Sequence, residues 1–128
     1  MKSIQQKYII NAPLAKVWQA LVDPSLIEDW GGGPAKMGDQ AGFEFELWGG
    51  DIYGKNIEVV PQSKLVQEWT AGEWNQPSKV TLTLSGKGNK TTVELLHEDV
   101  PDGETLEFED GWKTNYLGPL KEYAENFL

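Results

Sequence analysis

Hydrophobic and polar positions follow a helical period in the last part of the chain. Apolar side chains recur there at intervals of three and four residues, at Trp112, Tyr116, Leu120, Tyr123 and Phe127. This spacing predicts a long C-terminal helix, capped by Thr105, whose broad apolar stripe needs a cover. Pro119 falls inside this helix and cannot donate a backbone hydrogen bond, so we expect a kink or an offset near Gly118.

Two short helices are predicted near the start of the chain, after a first strand. Alternating side chains favour a strand over residues 3–10. Proline start signals followed by helical spacing then predict helices from Leu14 to Val22 and, after Asp23, from Pro24 to Trp30. The glycine run at 31–34 ends the second helix, and it lacks the Lys-Ser/Thr pair of a phosphate-binding loop.

Beyond the glycine run the pattern changes to the alternation of strands. Further strands are predicted at 43–47, 52–60, 65–70, 79–85 and 90–97, each bounded by turn residues. Together with the first strand they make a six-stranded antiparallel sheet with one polar and one aromatic face. We therefore predict an α+β fold in which a curved sheet grips the C-terminal helix, with two short helices between the first and second strands.

A curved sheet under a single helix tends to leave a cavity, and bulky aromatic side chains are suited to lining it. The candidate cavity residues are Trp30, Phe45, Trp48, Tyr53, Trp69, Trp74, His97, Trp112, Tyr116 and Leu120. Trp69 and Trp112 are expected in the core, whereas Trp48 and Trp74 lie beside predicted turns and suit a cavity rim or an exposed patch. Core filling explains the aromatic residues equally well, because they dominate cores as well as pockets.

Length, charge and cysteine content limit the classes of function that the chain can have. At 128 residues the chain is expected to form a single domain over residues 1–128. It contains no cysteine, which excludes disulfides and thiolate catalysis and fits a reducing cytoplasm. Its start is too polar for a signal peptide, no apolar run has membrane-spanning length, and the formal charge of -9 repels nucleic acid. We predict a cytoplasmic protein that neither binds nucleic acid nor inserts into membranes.

His97 is the one histidine, and strand alternation points it towards the buried face. It either carries protons in a pocket, with Tyr53 or Tyr116 as a partner, or is a hydrogen-bonded structural residue, which is the favoured interpretation. One histidine and scattered carboxylates give no metal-ligand spacing, so no metal or cofactor is predicted. The acidic cluster that includes Glu107 and Glu109 is interpreted as a solvated helix start.

Short motifs along nearly the whole chain resemble a known family. They are Ala12-Pro13 with Val17-Trp18 and Leu21, Asp23-Pro24 with Trp30, Gly42-Phe43, Gly54 before Glu58-Val59-Val60-Pro61, Leu65-Val66 with Trp69, Val80-Thr81-Leu82, Thr91-Thr92-Val93 with His97, and Gly111-Trp112. Their order is similar to that in activator of heat-shock-protein-90 ATPase homologue-like domains, within the START-like, pollen-allergen-like helix-grip superfamily. The eukaryotic activators carry a second domain upstream, so chaperone activation transfers only weakly.

The resemblance and the aromatic residues leave three functional hypotheses. The leading one is a non-enzymatic domain that binds a small hydrophobic molecule between the sheet and the C-terminal helix. The second is a co-chaperone whose acidic surface docks on a heat-shock ATPase, with Trp74 or Trp48 as an anchor. The third, which the wider superfamily implies, is a cyclase or hydratase that uses His97 with a pocket tyrosine.

Overall fold

A six-stranded antiparallel sheet forms the body of the protein in the computed structural model, which describes residues 2–128. Its strands are β1 (Lys2–Ile10), β2 (Glu44–Leu47), β3 (Ile52–Val60), β4 (Lys64–Ala71), β5 (Ser78–Lys87) and β6 (Lys90–Val100). The spatial order is β1-β6-β5-β4-β3-β2, so β2 to β6 form a meander and the first strand of the chain pairs with the last. This confirms the predicted sheet.

The helices also follow the predicted order. They are α1 (Leu14–Val22), α2 (Pro24–Trp30), α3 (Thr105–Gly111) and α4 (Leu117–Phe127), with a π-turn at Trp112–Tyr116 between the last two. The Asp23 carboxylate accepts a hydrogen bond from the backbone N–H of Ser25 at 2.8 Å, which caps the start of α2. None of the helices described in residues 2–128 is long and apolar enough to cross a membrane.

The core lies between the concave face of the sheet and the C-terminal helical segment. Alternate residues of β5 and β6 are buried, including Val80, Leu82, Val93 and Leu95. The helical segment covers them with Trp112, Tyr116, Leu117, Leu120 and Ala124, all of which are buried. This is the predicted α+β architecture, in which a curved sheet grips the C-terminal helix.

The C-terminal segment departs from the predicted stripe after Tyr116. The backbone N–H of Leu117 donates to the carbonyl of Trp112, which makes one turn wider by a residue. The proline at 119 lacks the N–H that a regular helix would use here, so the expected offset is present. The extra residue rotates the rest of the helix, and Phe127 is 75% exposed rather than part of the stripe. The prediction for Phe127 was wrong because a fixed period cannot register an inserted residue.

One smaller expectation needs correction. Thr105 does not cap the C-terminal helix, because it already has helical backbone angles and its hydroxyl donates back to the carbonyl of Pro101 at 3.3 Å. The turn expected at the glycines after β2 is present, and it joins β2 to β3 in a hairpin with positive φ at Trp48, Gly49 and Gly50. Both features lie at the ends of elements that border a cavity between the sheet and the C-terminal helical segment.

Candidate functional site

A cavity of about 580 Å³ opens between the C-terminal helical segment and the β2–β3 end of the sheet. Its aromatic walls are Trp48, Trp69, Phe108, Trp112 and Tyr116. Ile52 and Gly111 add apolar surface, and the polar positions are Asp51, Glu104, Glu107 and Asn115. The volume lies in the range of small-molecule sites, and a lining that combines aromatic side chains with polar groups is typical of them.

Stacked rings form the floor of this cavity. The rings of Trp69 and Trp112 are nearly parallel, with centroids 4.6 Å apart and an angle of 21° between their planes. Tyr116 lies 4.7 Å from Trp112, and Trp30 supports it from behind at 4.8 Å. Stacked and tilted arrangements of this kind are favourable for aromatic side chains, so the rings of the floor stabilise one another.

A buried hydrogen-bond chain fixes Trp112 from behind the floor. The indole N–H of Trp112 donates to Nδ1 of His97 at 2.9 Å, and Nε2 of His97 lies 2.7 Å from Oγ of Ser78. The Ser78 hydroxyl donates to the carbonyl of Trp69 at 3.0 Å. Because the hydroxyl proton is used there, Ser78 must accept from His97, and the proton of the imidazole is therefore on Nε2. Only the neutral Nε2–H tautomer satisfies every group in this chain.

A second buried chain fixes Trp69. Its indole N–H donates to Oε1 of Gln67 at 2.8 Å, and the Gln67 amide donates to Oδ1 of Asn56 at 2.8 Å. Asn56 in turn donates to the carbonyl of Gly38 at 2.9 Å. Buried amides that are fully hydrogen-bonded in this way specify one arrangement of the core. Both indoles of the floor are thus positioned by dedicated polar partners.

His97 is a structural partner of the floor and not a wall of the cavity. It is fully buried, and burial lowers its pKa to about 4, so the imidazole is neutral near pH 7. Protonation would put a second N–H on Nδ1, opposite the N–H of Trp112. Both ring nitrogens already have partners, and this geometry contradicts the hypothesis that His97 exchanges protons with a substrate.

Tyr116 carries a polar group without a partner. Its side chain is 1% exposed and lines the cavity, and no hydrogen-bond partner for its hydroxyl lies within residues 2–128. Burial raises the pKa of this phenol well above its usual value, so the group is a neutral hydroxyl. A buried hydroxyl left unpaired is unfavourable, and a ligand atom that accepted from it would remove that penalty.

The rim of the cavity is acidic. Asp51, Glu104 and Glu107 contribute carboxylates to its lining, and no lysine or arginine is part of it. Glu104 accepts a hydrogen bond from the indole of Trp74 at 2.7 Å, and the Trp74 ring packs on Phe108 at 5.2 Å. Among residues 2–128, none of the three carboxylates forms an ion pair with a lysine. The rim therefore has an uncompensated negative charge.

The sequence-predicted residues fall into three groups in the structure. Four line the cavity, namely Trp48, Trp69, Trp112 and Tyr116. Four others, Trp30, Phe45, His97 and Leu120, are buried behind it. Trp74 borders the rim through Glu104, and Tyr53 is 44% exposed and does not line the cavity.

The sequence reasoning missed the acidic rim and the buried amides. Glu104, Glu107, Phe108 and Gly111 precede Trp112 at helical spacing, so the stripe could have been extended by two turns towards the N-terminus. Gln67 lies between Leu65 and Trp69 on one side of β4, where a polar residue at an inward position indicates a buried hydrogen bond. No group of three or more His, Cys, Asp or Glu side chains within residues 2–128 is arranged to hold a metal ion.

Comparison with known proteins identifies related sequences. A family model described as "Activator of Hsp90 ATPase homolog 1-like protein" matches residues 11–125. A curated relative from Dictyostelium discoideum, "Activator of 90 kDa heat shock protein ATPase homolog", is 38% identical over 86 residues, which cover 65% of this chain and 22% of that protein. The chain spans 22% to 36% of the length of the curated relatives that it matches.

Solved structures share the fold over almost the whole chain. The crystal structure of an HSP90 activator from Plasmodium falciparum superposes with a TM-score of 0.88 at 25% identity, covering 95% of each chain. The crystal structure of CalU16 from Micromonospora echinospora superposes with a TM-score of 0.81 at 30% identity, covering 94% of this chain and 73% of the other.

Proposed function

Because the chain belongs to the Activator of Hsp90 ATPase homolog 1-like family, with its START-like fold, we propose that it binds a small apolar, aromatic molecule and does not catalyse a reaction. The ligand occupies the cavity between the β2–β3 end of the sheet and the C-terminal helical segment. The observation that carries this proposal is the aromatic floor beneath about 580 Å³ of space. If the aromatic residues only filled the core, no cavity of this size would be expected between the sheet and the helical segment.

The hydrogen bonds behind the floor support binding because they prepare the site in advance. The indoles of Trp69 and Trp112 each have one N–H, and each N–H already donates to a buried partner. Both rings are therefore held in one orientation before a ligand binds, and the little surface that they present to the cavity is apolar. Preorganisation of this kind raises affinity, since little conformational entropy is lost on binding. Apolar area buried by the ligand then contributes about 25 cal/mol per Å².

The state of the ionisable groups favours binding over acid–base catalysis. His97 is neutral and has hydrogen-bond partners on both ring nitrogens, and the Tyr116 phenol keeps its proton. Neither group is poised to exchange a proton near pH 7.

We also propose that the protein is located in the cytoplasm, because the chain is acidic and contains no cysteine.

Thermal-shift and calorimetric titrations with fatty acids, isoprenoids, aromatic polyketides and aromatic amines test this function. We expect at least one aromatic compound to stabilise the protein, and the effect to be lost in Trp48→Ala. Tyr53→Ala is the matched control, because it removes an aromatic residue of the same β2–β3 hairpin that does not line the cavity. Absence of binding by every compound, or equal loss of binding in both variants, contradicts the proposal.

A second candidate function is contact with a heat-shock ATPase, as the names of the curated relatives suggest. One observation favours α3 as the contact: Leu106 is 83% exposed on this helix, beside an acidic rim suited to a basic partner. Trp74, the anchor expected from the sequence, is instead held against Phe108 and Glu104. The protein should raise the turnover of a purified 90 kDa heat-shock ATPase, and Leu106→Ser should lower that effect. Unchanged turnover across a concentration series contradicts this function.

A further inference from the structure

The charges at the mouth of the cavity restrict the ligands that it can take. Asp51, Glu104 and Glu107 contribute carboxylates to the lining, no basic side chain does so, and the chain has a formal charge of -9. A ligand with a carboxylate or phosphate would bring like charges together at the mouth of the cavity, and their repulsion would weaken its binding. Fatty acids are thus poor candidates despite their apolar tails. The carboxylates of the rim would instead attract a positively charged group on the ligand.

The aromatic walls add a second attraction for the same kind of group. Trp48 is partly exposed and belongs to the same lining, so a bound cation meets an indole ring as well as carboxylates. Ammonium groups are attracted to the faces of aromatic rings, most strongly to tryptophan, and desolvation increases this attraction. Aromatic walls combined with carboxylates therefore favour an amine.

The unpartnered hydroxyl of Tyr116 provides an observation that is independent of the rim charge. The residue belongs to the same cavity lining, and its hydroxyl is buried without a hydrogen-bond partner among the described residues. A ligand oxygen that accepts from this hydroxyl would satisfy it. Since Asp51 and Glu107 are exposed and Tyr116 is buried, the preferred ligand has its amine at the mouth and its oxygen at the inner end.

We propose that the cavity selects an aromatic molecule with a cationic amine over neutral and anionic molecules of the same shape. This inference rests on the proposed ligand-binding function and specifies the chemical class of the ligand. A polar acceptor on the far side of the aromatic ring system adds affinity through Tyr116. Neutral isoprenoids and anionic lipids are excluded from tight binding.

Matched indole compounds test the preference for positive charge. Tryptamine is a cation, tryptophol is its neutral alcohol and indole-3-acetate is an anion, and all three have nearly the same shape. Calorimetric titration of the full chain should give tightest binding for tryptamine, by about tenfold over tryptophol, with indole-3-acetate weakest. Raising the salt from about 20 mM to about 300 mM should reduce the tryptamine advantage, because salt screens exposed charges.

Charge-removal variants locate the preference at the rim. Asp51→Asn combined with Glu107→Gln should weaken tryptamine binding about tenfold and leave tryptophol binding unchanged. Glu109→Gln combined with Glu122→Gln is the matched control, because it removes equal charge from exposed positions outside the cavity lining. The control should bind tryptamine as the unmodified protein does. An added ring hydroxyl, as in 5-hydroxytryptamine, should tighten binding to the unmodified protein but not to Tyr116→Phe.

The outcomes separate this inference from the proposed function. If tryptophol or indole-3-acetate binds as tightly as tryptamine, or the two double variants behave alike, the preference for a cation is overturned while ligand binding in the cavity stands. If none of the indoles binds but an aromatic polyketide does, the inference again fails alone. If nothing binds at all, both fail. Equal affinities of tryptamine and 5-hydroxytryptamine for the unmodified protein would overturn the assigned role of Tyr116.

Discussion

Protonation of His97 should lower the free energy of unfolding, because the imidazole is buried and its charged form is poorly solvated there. In the folded chain the pKa of His97 is lowered from 6.5 to about 4 by burial. A difference of one pKa unit corresponds to about 1.4 kcal/mol, so the full effect is about 3 kcal/mol. This is a large fraction of the stability of a small domain, and it originates in the burial of the same imidazole that accepts from the indole N–H of Trp112.

Whether stability rises or falls with pH depends on whether the folded or the unfolded chain binds the proton at the higher pH. The unfolded chain takes up the proton as the pH falls through 6.5, whereas the folded chain resists until the pH approaches 4. The stabilisation is therefore complete above pH 6.5, declines between these values and is lost below the folded pKa. Carboxylates titrate in the same range, so the measurement needs a reference that shares them.

His97→Gln supplies this reference. The glutamine side chain has a carbonyl oxygen that can accept from Trp112 and an NH2 group that can donate to Ser78, and neither group titrates. Urea unfolding of both proteins, followed by tryptophan fluorescence, gives their difference in the free energy of unfolding at each pH. Between about pH 7.5 and about pH 4.5 the histidine protein should lose about 2 to 3 kcal/mol relative to the variant. A difference that stays constant over this range would refute the lowered pKa of His97 and its burial as a neutral imidazole.

Further predictions concern the fold around the cavity. Leu120→Ala should lower the free energy of unfolding by about 3 kcal/mol, because it opens a void under the helix. Phe127→Ala, at an exposed position, should change the free energy of unfolding by less than about 0.5 kcal/mol. Equal effects of the two substitutions would contradict the π-turn offset. Gly54→Ala should destabilise by more than about 2 kcal/mol, since a Cβ there overlaps the backbone of β4, and Gly103→Ala, with open space around it, is the control in the same chemical denaturation experiment. Asp23→Ala should remove the cap of α2 at a cost of about 1 kcal/mol, and an unchanged unfolding midpoint would argue against that cap.

The elements could be predicted because local periodicity encodes them. The strand alternation placed His97 on the buried face, and the helical spacing placed Trp112, Tyr116 and Leu120 on the covered face of the last helix. The arrangement of the cavity floor could not be predicted, because it depends on contacts between residues that are distant in sequence. The stack of Trp69 on Trp112 joins β4 to a helix that comes much later in the chain, and no local pattern encodes that pairing.

The rim shows a different limit of sequence reasoning. Glu107 was interpreted as part of a solvated helix start, and it is exposed, but its helix borders a cavity whose opposite wall is the β2–β3 hairpin. Exposure alone therefore does not separate a solvated surface from a binding rim. Tyr53, in contrast, was misassigned to the cavity although alternation with the inward Ile52 could have placed it outside.

Ligand binding between the sheet and the C-terminal helical segment is the claim on which the rest depends, and the indole N–H signals test it most directly. In a ¹H–¹⁵N NMR titration with the tightest-binding aromatic compound, the signals of Trp48 and Trp112 should shift together and saturate, because both rings line the cavity. The signal of Trp18, which is buried in α1 and does not line the cavity, should stay in place. Saturable shifts confined to Trp18, or no shift at Trp48 and Trp112 when the ligand is bound, would contradict the account.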